Sequence, residues 1–185
     1  MAVKLNTMQF KLSTKPLLVA FLLAISTLGC FEPPNYSNTP EISFNSIVKF
    51  TVDDPFSGVN AKRDSVIITV DFKDGDGDLG ETPDGRNNPR YSDWGNYELK
   101  TFRLDPNTKS FVELEQAANK TLFFPILKPN LKRGPIEGNL DFSPSFFYNN
   151  RSRLTVIKYQ IRVRDRAFNV SNKIETDTLS VRLTY

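Results

Sequence analysis

Apolar residues alternate with polar ones along several short stretches of this chain. In the stretch 65–72, the apolar residues at every second position are Val66, Ile68, Val70 and Phe72. A period of two places these side chains on one face of an extended strand, whereas a helix repeats its apolar residues every three or four positions. Glycine, proline, asparagine and aspartate separate the stretches, as in chains that turn between short strands. The pattern therefore predicts an all-β fold whose sheets bury one face and expose the other.

Seven strands follow from this pattern. We predict them at 42–52, 65–72, 97–105, 121–127, 136–142, 154–165 and 177–185. A helix of one or two turns is favoured only at 110–119. About seven short strands within about 145 residues are typical of an antiparallel sandwich of two sheets. Residues 41–185 are accordingly predicted to form a single β-sandwich domain.

The stretch 159–172 resembles the penultimate strand and following turn of immunoglobulin-like and fibronectin type III-like domains. It begins at Tyr159, alternates apolar residues with arginines, and reaches Asp165 before a turn of small and polar residues. The resemblance implies an immunoglobulin-like sandwich in which the Tyr159 hydroxyl forms a tyrosine corner by bonding to nearby backbone. It also makes Trp94 a candidate for the buried tryptophan of these domains.

Three aspartates separated by glycines, Asp74, Asp76 and Asp78, follow the predicted strand 65–72. Such a loop turns tightly enough to aim several carboxylate oxygens at one point, as calcium requires. The stretch resembles the Asp-x-Asp-x-Asp start of calcium loops in EF-hands, dockerins and thrombospondin-type repeats. It departs from a complete EF-hand loop, because Leu79 and Gly85 occupy the positions of its glycine and bidentate glutamate. The alternative is a plain turn, since aspartate and glycine both favour turns.

A second loop is expected to contribute to the same calcium site. In a sandwich, the predicted strands 65–72 and 154–165 end at the same pole. Asp165 and Asn169 follow the latter strand, so we expect them to lie near the three aspartates and to complete a set of oxygen ligands. The role of the ion would be structural.

The connection 81–96 is long for a link between strands and carries residue types that often anchor interfaces. Long connections inside compact domains are usually functional or disordered. The residues that favour contact with a protein or a glycan are Arg86, Arg90, Tyr91 and Trp94. The alternative is a polar loop anchored by one tryptophan.

The first thirty residues resemble the export signal of bacterial lipoproteins. Three lysines precede a thirteen-residue apolar run at 17–29, which ends at Cys30, the only cysteine. The resemblance implies a signal peptide at 1–29, acylation of Cys30 with chains such as palmitate, and a flexible tether at 30–40. The apolar run is shorter than the ~20 residues of a membrane-spanning helix, which disfavours an uncleaved anchor.

One detail of this N-terminal pattern differs from the lipoprotein family. The family usually has leucine followed by two small residues before the cysteine, whereas this chain has Thr27, Leu28 and Gly29. An ordinary secretory signal cut nearby therefore stays as an alternative. A lipid anchor would place the domain outside the cytoplasm, and the resemblance favours the outer membrane of a Gram-negative cell envelope.

Composition narrows the function further. Three of the 24 lysines and arginines lie in the predicted signal peptide, so the remaining 21 equal the 21 aspartates and glutamates. A neutral mature chain gives no support for a nucleic-acid partner. The absence of histidine and of a second cysteine excludes Ser-His and Cys-His nucleophile pairs and the usual zinc sites.

We therefore expect a membrane-anchored, non-enzymatic binding module for a protein or glycan partner, stabilised by calcium. One alternative is a structural or assembly subunit of an envelope complex. A less favoured alternative is a glycan hydrolase that uses a pair of carboxylates.

Overall fold

The computed structural model describes residues 33–54, 58, 61–115, 121–128 and 132–184. The predicted signal peptide and Cys30 lie outside the described residues. From Pro34 onward the chain forms one compact unit. Its strands are β1 (Glu41–Asp53), β2 (Lys62–Asp74), β3 (Tyr97–Leu104), β4 (Phe111–Leu114), β5 (Ile136–Phe142), β6 (Ser145–Tyr148), β7 (Arg153–Val163), β8 (Ile174–Glu175) and β9 (Leu179–Leu183).

The nine strands form two sheets in which every pairing is antiparallel. In the first sheet, β2 lies between β1 on one side and β5 with β6 on the other. In the second sheet, the order is β4, β3, β7, and then β8 with β9. β5 and β6 lie end to end along the same edge of β2, and β8 and β9 lie end to end along the same edge of β7. The nine strands therefore occupy seven strand positions in the two sheets. The prediction of an all-β, two-sheet antiparallel sandwich is confirmed, and the architecture is consistent with an immunoglobulin-like domain.

Both interruptions have a local cause. Between β5 and β6, the carbonyl of Pro144 accepts the Val66 N–H at 2.9 Å, but proline has no N–H to return to the ladder. Between β8 and β9, the Thr176 hydroxyl accepts the Tyr159 N–H at 3.0 Å, in place of a backbone carbonyl. The hydrogen-bonded ladder thus continues past each break although the regular strand does not.

Alternate residues of β2 and β7 form the centre of the core, as the period-two pattern predicts. Tyr159 is fully buried with them, but its hydroxyl has no hydrogen-bond partner among the residues that the structure describes. The expected tyrosine corner is therefore not formed. The fully buried apolar residues of the two strands are Val66, Ile68, Val70, Ile157, Ile161 and Val163.

Two predicted elements are wrong. The stretch 121–127 is not a regular strand, since its pairings are isolated bridges at Leu122 and Pro125. The predicted helical stretch 110–119 contains β4, because Phe111–Leu114 pairs with the edge of β3. An unpaired strand edge nearby outweighs weak local preference in such short segments. No helix in the described part of the chain is long and apolar enough to cross a membrane.

Candidate metal centre

The acidic loop begins inside the buried end of β2. Asp74 is the last residue of β2 and continues the inward face that runs through Val70 and Phe72. Its side chain is consequently 0% exposed. The alternation that buries apolar side chains therefore also buries a carboxylate, which costs free energy unless other groups compensate the charge.

The carboxylates of Asp74, Asp76 and Asp78 converge on one point. One carboxylate oxygen from each lies within 4.8 Å of the other two. The Oδ1 atoms of all three are buried and accept no hydrogen bond from the residues that the structure describes. The Oδ2 atom of Asp74, by contrast, accepts the Asp78 N–H at 2.9 Å and holds the loop curled. Three buried acceptors without donors are unusual in folded proteins, and a bound cation satisfies such a set.

Glycine is required within this loop at Gly77. Its φ of +71° lies in the left-handed region, which residues with a Cβ atom rarely adopt. A Cβ atom there would also lie 2.4 Å from the carbonyl oxygen of Gly134, whose own N–H donates to the Asp76 carbonyl at 3.1 Å. The segment around Gly134 therefore packs closely against the acidic loop.

Two carboxylates of the loop, those of Asp74 and Asp78, hold their protons more tightly than ordinary aspartates. Burial raises the pKa of Asp74 to about 6, and the charge of Asp76 adds to the effect. Burial likewise raises the pKa of Asp78 to about 6, with added repulsion from Asp165 and Asp76. The charge of Arg166 lowers the pKa of Asp78, but burial and the neighbouring carboxylates outweigh it.

The structure brings Asp165 to the same pole as the three aspartates. Asp165 is fully buried just after β7, and its charge acts on both Asp74 and Asp78. Its Oδ1 atom accepts the Asn169 N–H at 2.7 Å, and its Oδ2 atom accepts the Asn169 side-chain amide at 2.8 Å. Asp165 thus adds negative charge to the cluster, while Asn169 holds the Asp165 carboxylate in position.

The four predicted binding residues of the connection 81–96 lie in one aromatic and cationic cluster. Tyr91 and Trp94 are 2% and 7% exposed, so their rings are largely covered by protein. Arg86 and Arg90 are exposed, although their guanidinium groups lie 5.5 Å from the ring centre of Phe123 and 3.6 Å from that of Phe168. Only the two arginines are therefore accessible to a partner.

A buried arginine that the sequence reasoning missed holds this cluster together. Alternation places Arg164 on the outer face of the strand, yet it is only 6% exposed. Its guanidinium lies 4.1 Å from the centre of the Trp94 ring and 4.8 Å from that of Tyr91. It also donates to the Gly95 carbonyl at 2.8 Å and to the Asp93 carboxylate at 3.0 Å. Arg164 thereby fixes the long connection to the end of the second sheet.

An apolar patch lies on the outer face of the first sheet. Val48, Phe50 and Phe147 are 45%, 52% and 56% exposed. Val48 in β1 pairs with Ile67, and Phe147 in β6 pairs with Arg63, so both lie on the outer face of the sheet although they flank opposite edges of β2. Alternation within β1 was the available sequence signal for Val48 and Phe50, but it does not reveal that no described residue covers this face.

Neither protein-family models nor curated proteins nor solved structures provide a match to this chain. Its function is therefore inferred from its own residues and their geometry.

Proposed function

We propose that this chain is an extracytoplasmic lipoprotein, anchored through Cys30 to the outer membrane of a cell envelope. Its β-sandwich acts as a non-enzymatic binding module for a protein or glycan partner and is stabilised by calcium. The proposal of a calcium site rests on the buried Oδ1 atoms of Asp74, Asp76 and Asp78. None of these three atoms accepts a hydrogen bond from the described residues. The N-terminal sequence pattern supports the anchor.

The donor set favours calcium over other metals. Carboxylate oxygens are hard ligands, which suit calcium or magnesium rather than zinc or copper. Two oxygens on opposite sides of one calcium ion, each at about 2.4 Å, lie about 4.8 Å apart. The separations within the cluster, all up to 4.8 Å, are thus compatible with a single shared ion. Calcium also tolerates the irregular geometry of such a loop better than magnesium does.

The position of the cluster indicates a structural role for the ion. Asp74 ends β2 in the first sheet, and Asp165 follows β7 in the second sheet. An ion held by the acidic loop and facing Asp165 would offset repulsion between the ends of the two sheets. It would thereby tie the sheets together at one pole.

Calorimetry and thermal unfolding of the intact protein test the calcium site. We expect CaCl₂ to release binding heat and to raise the melting temperature above its value in EGTA, since a ligand that binds only the folded state stabilises it. The Asp76→Asn variant is expected to lose both responses. Asp84→Asn, which alters an exposed carboxylate in the following turn, serves as the matched control and is expected to keep them. An unchanged melting temperature in excess calcium would overturn the proposal, and a parallel MgCl₂ titration distinguishes the two ions.

The exposed apolar patch favours a protein partner over a glycan. Large apolar side chains that face solvent are common at protein interaction sites, and Val48, Phe50 and Phe147 expose such side chains on one face of the first sheet. The aromatic rings best suited to stacking on sugars, Tyr91 and Trp94, are buried. The same observation supports the alternative of an assembly subunit in an envelope complex.

Affinity purification of the intact protein from its own membrane tests the binding role. We expect a specific protein to co-purify, and to be lost from the double variant Phe50→Lys/Phe147→Lys. Because both side chains face solvent, these substitutions are expected to leave the melting temperature nearly unchanged. If the double variant still binds on a glycan array, a glycan partner is favoured over a protein partner. Turnover of a polysaccharide by the intact protein would contradict the proposal.

A further inference from the structure

Residues 36–39, which we term the strap, cross the acidic pole before β1 begins. The Gly75 N–H donates to the Ser37 carbonyl at 2.8 Å. The side-chain amide of Asn169 donates to the Asn38 carbonyl at 3.4 Å. Gly75 lies between Asp74 and Asp76, and Asn169 positions Asp165. The strap therefore receives one hydrogen bond from each of the two loops that form the pole.

The fit between the strap and the acidic loop is close. A Cβ atom at Gly75 would lie 2.3 Å from the Tyr36 carbonyl oxygen, and its three nearest neighbours would all be strap atoms. Only glycine allows this approach. The Tyr36 hydroxyl donates to the Glu137 carboxylate at 2.7 Å, and the Lys73 ammonium lies 5.5 Å from the centre of the Tyr36 ring. These two contacts hold the strap from outside the three-aspartate cluster.

We propose that binding of a cation by Asp74, Asp76 and Asp78 is coupled to docking of the strap. The inference rests on the calcium site proposed above. The Gly75 N–H donates to the strap from the curled loop, and repulsion among three unneutralised carboxylates opposes that curl. A cation removes the repulsion and so favours the docked strap. Because coupling between two binding events is reciprocal, a docked strap also tightens binding of the cation by the same factor.

The coupling would set the reach of the domain from a membrane. With the strap docked, six residue steps separate Cys30 from Tyr36, a span of at most about 21 Å at about 3.5 Å per residue. With the strap released, eleven steps separate Cys30 from Glu41, a span of at most about 39 Å. Calcium would thus shorten the usable tether of the acylated protein by nearly half.

A spin label on the strap measures its docking directly. Thr39→Cys provides an exposed attachment point. Because acylation blocks Cys30, the introduced cysteine is then the only reactive thiol. In the intact protein we expect the label to be mobile in EGTA and to become immobilised when CaCl₂ is added. The same titration by calorimetry gives the calcium affinity.

Two variants test the reciprocal effect. Gly75→Ala forces the strap away, so we expect a mobile label even in CaCl₂ and an affinity for calcium about tenfold lower. Tyr36→Phe removes only the hydrogen bond to Glu137, and is expected to lower the affinity by a smaller factor. Once Gly75→Ala has displaced the strap, adding Tyr36→Phe is expected to cause no further loss. Tyr36→Phe keeps the test valid if Gly75→Ala does not fold.

The outcomes separate this inference from the calcium site on which it rests. If calorimetry detects calcium binding but the mobility of the spin label does not change, the coupling is overturned and the calcium site stands. Independent, additive effects of the two variants on calcium affinity would also overturn the coupling. An absence of calcium heat in the unaltered protein would overturn the site and the coupling together.

Discussion

Asp74 occupies a position that an apolar side chain would normally fill. It extends the inward face of β2 by one more residue and is fully buried. One of its carboxylate oxygens has a hydrogen bond from the Asp78 N–H, whereas the other has none among the described residues. A buried charge left in this state favours the unfolded protein until a proton or a cation neutralises it.

The stability of the calcium-free protein is expected to fall as the pH rises. The pKa of Asp74 and of Asp78 is about 6 in the folded protein, above the value of 3.8 for an ordinary aspartate. The folded state therefore binds these protons more tightly than the unfolded state does. Their stabilising contribution is complete below a pH of about 4 and is lost as the pH rises through about 6.

Urea unfolding in excess EGTA, followed by the fluorescence of the single tryptophan, measures this dependence between pH 4 and 8. Asp74→Asn removes one of the two groups, so its stability is expected to decline less steeply over the same range. Saturating calcium is expected to reverse the decline above pH 6. If the unaltered protein and Asp74→Asn showed the same pH profile in EGTA, the raised pKa of Asp74 would be contradicted.

Strand length explains which elements the sequence could predict. Strands such as β1, β2 and β7, with 13, 13 and 11 residues, contain enough alternating positions for the period to be read. The strands β4 and β6 have four residues each and β8 has two, so no period is visible in them. These short strands form because a longer neighbour offers unpaired backbone groups, which local sequence does not reveal.

Two adjacent isoleucines in β2 provide a matched test of the strand's orientation. Ile68 is fully buried, whereas Ile67 faces outward and is half-buried. Ile68→Ala is expected to lower the free energy of unfolding by about 2–5 kcal/mol, because it removes buried surface and leaves a cavity. Ile67→Ala is expected to cost much less. Urea unfolding of both variants measures the difference, and equal losses would contradict the register.

A lipid on Cys30 would determine where the whole molecule resides. Cys30→Ser removes the sulfur that an acyl chain requires, and we expect the protein to move from the detergent-rich to the aqueous phase in a Triton X-114 separation. Incorporation of labelled palmitate is expected to be lost as well. Thr27→Leu, which brings the preceding residues closer to the lipoprotein pattern, is the control and is expected to retain both properties. Membrane retention and labelling of Cys30→Ser would contradict lipidation at this residue.

The sequence by itself determined the class of fold, the inward face of β2 and β7, and the presence of an Asp-Gly-Asp-Gly-Asp loop after β2. These properties depend on residues that are neighbours in the chain, so a local period or motif expresses them. It also placed Asp165 at the correct pole, because strand direction in an antiparallel sandwich follows from strand order.

The tertiary structure alone decided which distant residues cover the buried aromatic groups and the acidic loop. Trp94 is covered because Arg164, seventy residues later in the chain, lies over its ring. The strap meets Gly75 because the segment before β1 packs across the end of β2. Such contacts join residues that are far apart in sequence, and the packing of two sheets fixes them. No local pattern records which partner each side chain will find.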